Sequence, residues 1–311
     1  MKPPSLAEAL GVLPLDKAAR ELVLALRGDA FTPASRFGLS SLRILAPRQS
    51  VSTWLGRTRA DRRVPIYNLF NHTQTPIEDG WSVRVTQVRD FRGGTLSYDS
   101  HNGTDFVVPV GTVVVAPAAG RVLRVSSELN RGGLKVLVDH GRGLVTTSNH
   151  LSRALVRPGD QVARGEPIAL SGASGIDFLL LFPWNVPHVH FNVWLGGVPV
   201  DPFAAMGETP LWLDGNEPGP PAAIAEEPFE PTRFDAEAVA DAIAACRDSA
   251  LRATLETTEP FERRAADTLF HQAYYRTRFA NRPAIVPPAA REPRLSLPFR
   301  AEDFVGVSFP R

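Results

Sequence analysis

The chain has 311 residues, 43% hydrophobic and 22% charged, which fits one large domain or a core with extensions and excludes a disordered chain. Lys+Arg 34 against Asp+Glu 33 leaves a net charge of +1, so no global field draws it to nucleic acid or to a membrane surface. Cys246 is the single cysteine, which excludes an internal disulfide and a Cys-based zinc site; any metal must be held by His and carboxylate.

The opening residues hold no apolar signal core, because Glu8 and Asp16 interrupt the stretch. The sequence as given is expected to carry no export signal, which by itself points to the cytoplasm. No run reaches the ~18 apolar residues of a spanning helix. Residues 1 to 62 read as an N-terminal accessory segment. Within it a short helix is expected over Ala18–Leu26, capped by Asp16 and stopped by Gly28.

From Val64 the texture changes to that of a β domain, residues 63 to 204. Trp81–Val88 alternates and predicts a strand. Short β-like runs follow at Phe106–Val108, Thr112–Val115, Arg121–Val125, Leu134–Val138, Leu155–Val156, Gln161–Val162 and Pro167–Leu170, punctuated by Gly, Pro and Asn. The last is His188–Leu195. Regular short strands with turn signals predict a mainly β fold with a compact antiparallel sandwich or barrel core. Residues 205 to 311 form a C-terminal extension. It has a Pro-rich linker or arm over 206–232, a helical stretch from Asp235 to about Asn281, and a last thirty residues expected to lie over the surface.

In His188-Val189-His190-Phe191-Asn192-Val193-Trp194-Leu195, Val189, Phe191, Val193 and Leu195 share one strand face. His188 and His190 point together from the other. Neutral imidazole is the commonest zinc ligand and the usual general base near neutral pH. Upstream, His101-Asn102-Gly103-Thr104-Asp105 sets an imidazole and a carboxylate at an even spacing, with Gly103 letting the backbone bend toward a shared ion. With His190 this makes two imidazoles and one carboxylate, a common hydrolytic zinc set that leaves a fourth position for water. His150, in Ser148-Asn149-His150-Leu151, would complete a proton-handling pair with His188 if the two fold together.

These pieces resemble the LytM/lysostaphin-type zinc endopeptidases. The matching residues are His101–Asp105, Val110–Pro117 with Gly120-Arg121-Val122, Val138–Gly141, Asn149-His150-Leu151, Val156–Gly165, Gly172–Gly175 and His188–Phe191. The resemblance covers roughly residues 98 to 203. It implies a compact antiparallel β core with the site in a groove and one Zn2+ per chain. It implies His101, Asp105 and His190 as ligands, His150 and His188 as the catalytic histidines, and a peptide substrate of the kind found in bacterial cell-wall cross-links, often at glycine. Two departures stand out. Residues 176 to 187 lengthen the approach to His188 with the apolar run Phe178–Trp184, expected to pack or to wall the groove. Asn192 stands where the family often has an acidic residue.

Taken singly, each piece has a blander reading. His101 and Asp105 can cap a turn, and His150 can be a satisfied core histidine. His140 reads as turn chemistry, and His72 and His271 have no nameable partners. The Val115–Val122 and Val156–Gly165 runs also resemble biotinyl and lipoyl carrier strands, but those need an exposed lysine at a hairpin tip, and Lys135 sits in an apolar run. A catalytically silent relative acting as a binding or regulatory module is the other class of function. The terminal extensions are candidates for occluding the groove, positioning substrate or joining two copies.

Overall fold

The computed structural model describes residues 2–222 and 228–310. Residues 223–227, inside the Pro-rich stretch, lie outside the described residues.

The strands are β1 (Arg63–Asn68), β2 (Thr104–Val107), β3 (Val113–Val115), β4 (Gly120–Glu128), β5 (Gly133–Asp139), β6 (Leu144–Ala154), β7 (Gln161–Val162), β8 (Pro167–Ser171), β9 (His188–Leu195), β10 (Val198–Val200) and β11 (Gly306–Ser308). They form one mainly antiparallel sheet in the order β11-β1-β2-β9-β6-β5-β4-β7, with β10 on β9 and β3 on β8, which also pairs with β6. The sheet is open and does not close into a barrel. The helices are α1 (Leu6–Leu10), α2 (Leu15–Arg27), α3 (Pro47–Trp54), α4 (Ile176–Leu181), α5 (Ala236–Ala244), α6 (Ser249–Thr257) and α7 (Phe261–Tyr274).

The period-2 pattern of β9 decides how the layers pack. Val189, Phe191 and Val193 enter the main core with Phe106, Leu144, Leu151 and Trp212. Trp194, on the opposite face, joins Leu137 and Val145 under α5 and α7, against Ile243, Leu269, Phe270 and Tyr274. Each such side chain, fully buried, contributes about 1.5–3 kcal/mol. The C-terminal helices thus cover the sheet face that also carries the histidines of β9.

Several expectations need correction. Trp81–Val88 is not a strand; its backbone bonds to the Arg36 peptide, and the Asp99 carboxylate accepts from Thr86 N and Oγ1, both at 2.9 Å. With those partners it joins no ladder. Leu155–Val156 lies beyond the end of β6. The last thirty residues are not a surface layer: Leu295, Leu297, Phe299, Phe304 and Val307 are in the main core, and β11 adds to β1 in parallel. Trp212, in the Pro-rich arm, is also fully buried and stacks on Phe191 at 5.6 Å. α2 starts at Leu15, earlier than expected, with Pro14 rather than Asp16 at its cap; Gly28 ends it with a positive φ of 70° and an extended ψ of −175°. The long helical stretch divides into α5, α6 and α7: Asp235 and Asp248 cap the starts of α5 and α6, each accepting from two backbone N–H groups, and Pro260 stands at the start of α7.

The N-terminal segment docks on the sheet. Glu8 holds Arg153 through two bonds of 2.7 and 3.0 Å. The Tyr67 hydroxyl donates to the Ile44 carbonyl, and Ser50 Oγ donates to the Asn185 carbonyl at 2.8 Å.

Candidate metal centre

β2, β9 and β6 are adjacent, and their register assembles the site. Asp105 faces His190 across β2–β9, and Asn149 faces His190 across β6–β9. His150 is the next residue of β6, and His101 sits on the turn leading into β2. His101 Nε2 lies 3.0 Å from Asp105 Oδ1 and 3.0 Å from His190 Nδ1, and the last two are 2.7 Å apart. All three residues are buried.

This triangle suits a small cation. Four bonds of ~2.0–2.1 Å at tetrahedral angles set donors about 3.3 Å apart. His101 Nδ1 donates to the Leu69 carbonyl at 2.6 Å, which leaves Nε2 a lone pair aimed at a carboxylate oxygen. Two such acceptors at this distance repel unless a proton or a cation lies between them. Burial alone would raise the Asp105 carboxyl, yet the His101, His188 and His190 imidazoles hold it well below the usual carboxylate range. Burial pushes His190 down to about 4 against the pull of Asp105, so it is neutral and able to ligate near pH 7.

His150 and His188 lie beside the triangle, their rings 4.8 Å apart. His150 Nδ1 donates to the Ser174 carbonyl at 2.7 Å and His188 Nδ1 to the Val186 carbonyl at 2.7 Å. Each Nε2 is therefore a free lone pair, and that of His188 is 3.6 Å from Asp105 Oδ1. His150 is held in the left-handed region at φ 59°, a backbone cost of about 1–2 kcal/mol for a side chain of this kind. Burial, then His188 and His190, drive its pKa well below the ordinary value.

Gly103 serves by size and not by an unusual dihedral. A Cβ there would sit 2.6 Å from the Phe191 carbonyl oxygen and 2.9 Å from His190 Nε2. Asn192 Nδ2 lies 2.9 Å from His190 Nε2 and donates to the Asn102 carbonyl at 2.8 Å. Its Oδ1 accepts from Asn149 Nδ2 at 2.8 Å and from the Tyr274 hydroxyl at 3.1 Å.

The cavity over the site measures about 70 Å³. Its walls include Phe37 and Ile44 of the N-terminal segment, Tyr274 of α7, and Ile176, Asp177 and Asn185 of the 176–187 insertion. Phe178 packs its ring 5.0 Å from His150 and 5.1 Å from His188, while Phe182 and Trp184 stay exposed. The apolar run is thus part wall and part surface. Asp177 also lines the cavity, at the head of the apolar run Phe178–Trp184. A lone acid beside such a run, just before His-x-His, was the available signal.

The remaining histidines lie apart from the triangle. His140 donates from Nδ1 to the Ala119 carbonyl at 3.0 Å, and its Nε2 is 2.8 Å from the Thr146 hydroxyl. His72 does have a partner, Asp201 Oδ2 at 2.9 Å. His271 lies in the last turn of α7 itself, where burial takes it down to about 3. Lys135 is fully buried against Glu128 at 2.6 Å, which rules it out as an exposed carrier lysine.

No helix among the described residues is long and apolar enough to cross a membrane. Over 103 residues the chain is 41% identical to an uncharacterized metalloprotease of Haemophilus influenzae, covering 33% of this chain and 20% of that protein. It is 32% identical over 131 residues to the peptidoglycan DD-endopeptidase ShyA of Vibrio cholerae, covering 42% and 29%. It is 37% identical over 97 residues to the murein hydrolase activator EnvC of Escherichia coli, covering 31% and 21%. The chain therefore spans less than a third of the length of each of these relatives. The pattern described as peptidase family M23 matches residues 99–202, the same stretch that holds the triangle and both flanking imidazoles. That stretch is a peptidase family M23 domain.

Proposed function

We propose that this protein is a zinc-dependent endopeptidase acting on peptide cross-links of the cell wall. His101, Asp105 and His190 hold the metal, and His150 and His188 handle protons. The observation that carries the reading is the convergence of three buried donor atoms within 3.0 Å of one another. When bound, zinc polarises a carbonyl oxygen and makes water a stronger nucleophile near neutral pH. The chain supplies the rest. The carbonyls of Ser174 and Val186 fix both flanking imidazoles as Nδ1–H tautomers, so each presents a basic Nε2. One accepts the proton of the attacking water, and the other steadies negative charge or returns a proton to the amine. The closed wall excludes bulk water and strengthens each of these interactions.

The peptidoglycan endopeptidase among the relatives supports a cell-wall peptide as the substrate class, and a cell-wall substrate lies outside the cytoplasm. His101, Asp105, His150, His188 and His190 are all buried, so productive binding of a peptide displaces part of the wall. That same closure, with an activator among the relatives, favours a second reading as a catalytically silent module. Elemental analysis and cleavage of cross-linked muropeptides separate the two. The enzyme reading expects about one zinc per chain, lost in His190→Ala, and His150→Ala that keeps zinc but loses cleavage. A protein that takes up no zinc overturns it; zinc without cleavage, even after the N-terminal segment is loosened by Glu8→Ala, leaves the silent module.

A further inference from the structure

We propose that Asp177 receives the amine side of the scissile bond, its carboxylate and the His150 and His188 imidazoles together forming a subsite for a tetrahedral, protonated nitrogen. The inference rests on the hydrolytic reading above and adds the chemistry of the group the site takes.

A carboxylate oxygen of Asp177 and one ring nitrogen each from His150 and His188 lie within 4.8 Å of one another. The Asp177 carboxylate makes no hydrogen bond or ion pair with either imidazole, which leaves room between them for a guest atom. A tetrahedral nitrogen making two hydrogen bonds of ~2.9 Å joins partners roughly 4.7 Å apart. Asn185 Nδ2 steadies the Asp177 carboxylate with one bond of 3.0 Å, and a carboxylate accepts up to about four. The same residue lines the cavity beside the two histidines. Both imidazole Nδ1–H groups are committed to backbone carbonyls, so proton exchange with a guest falls to the Nε2 atoms.

The charge balance agrees. Burial pushes the Asp177 carboxyl up, against the pull of His188 and with a smaller push from the Asp105 carboxylate. A cation delivered there relieves this. Hydrolysis delivers one: the water oxygen bonds to the carbonyl carbon, the C–N electron pair stays on nitrogen, and nitrogen collects the two protons that water gives up. The products are a carboxylate and an ammonium. Asp177 accepts a hydrogen bond from the nitrogen as it becomes tetrahedral and then pairs with the ammonium. Asp177 comes from α4, outside the sheet ladder.

The test uses ethylammonium, small enough for the cavity, and ethanol as its neutral counterpart. Each is titrated by NMR into the full-length protein, zinc-free and zinc-loaded, in wild type and Asp177→Asn. Ethylammonium is expected to shift resonances around the cavity in wild type, with binding roughly ten- to a hundredfold weaker in Asp177→Asn, and ethanol is expected to bind far more weakly than ethylammonium. Equal affinity in the variant, equal binding of ethanol, or no ethylammonium binding to wild type overturns the proposal. If the variant does not fold, the two probes on wild type still decide. Zinc uptake is read in the same samples. Failure to take up zinc sinks the hydrolytic reading and leaves the ammonium result standing on its own.

Discussion

Asp105 and His190 are direct cross-strand partners in the β2–β9 ladder, and the pairing brings Oδ1 to 2.7 Å from Nδ1. Side chains opposite each other on a sheet have Cβ atoms only about 4.5–5.5 Å apart, so the ladder itself fixes the spacing of two donors. A slip of one residue in β9 would turn both of its histidines into the core and expose Val189 and Phe191. The buried apolar face of β9 therefore specifies the position of the imidazoles on the other face.

Gly103→Ala tests how closely these strands must approach. The new methyl would meet the Phe191 carbonyl oxygen, which cannot swing aside as a side-chain end could. Overpacking of this kind costs about 1–3 kcal/mol. Displacing His190 should also weaken zinc binding roughly tenfold or more. Competitive chelator titration beside thermal melts reads both effects, and unchanged zinc affinity would show that the close approach is not needed for the metal.

Tyr274 ties α7 to the same site. Its hydroxyl donates to Asn149 Oδ1 at 2.9 Å and to Asn192 Oδ1 at 3.1 Å. Tyr274→Phe should leave Asn149 Oδ1 without its donor, at a cost of about 1–3 kcal/mol. Asn192→Ala removes the amide beside His190 Nε2 and should reduce zinc affinity by about 10–100-fold. Denaturant melts and metal titrations of the two variants distinguish a stability effect from a metal effect. Tyr274→Phe is expected to change the first much more than the second.

The convergence of His101, Asp105 and His190 was readable in the sequence because metal chemistry admits few residue types, and their spacing is set by strands with clear alternation. β6 was not readable. Thr146-Thr147-Ser148-Asn149-His150 is polar throughout and shows no apolar alternation, yet pairing with β5 on one side and β9 on the other buries it. Trp81–Val88 shows the converse: a clean alternation whose backbone finds the Asp99 carboxylate instead of a strand. Leu295, Leu297 and Phe299 looked like a surface tail because their partners lie far away in sequence, and local periodicity carries no record of such contacts.

His140 gives a pH prediction free of the metal triangle. Burial, with help from Arg294 and Arg164, lowers its pKa to about 4, against an ordinary value near 6.5. Between those values the unfolded chain binds the proton and the folded chain does not. Its contribution to stability is therefore full above about pH 6.5 and is lost as pH falls toward 4, on the order of 3 kcal/mol in total. Metal-free wild type should lose stability across this window, and His140→Gln should show a shallower slope in denaturant melts at stepped pH. Identical slopes would mean that His140 titrates normally in the folded protein.

The last prediction concerns the tail. Phe299 is fully buried, and its ring meets Phe106 at 5.9 Å and Phe304 at 5.5 Å. Phe106 is on β2, next to the candidate ligand Asp105, so the C-terminal tail supports the strand that carries a candidate metal donor. Phe299→Ala should cost about 3–5 kcal/mol, a large fraction of the ~5–15 kcal/mol typical of a domain. Truncation after residue 294 also removes Leu295, Leu297, Phe304, Val307 and β11, and should leave no cooperative unfolding transition at all. Calorimetry of both proteins checks this. A truncated chain that melts cooperatively near the wild-type temperature would show that the M23 domain closes its core without the tail, and that the buried phenylalanines contribute packing the fold can do without.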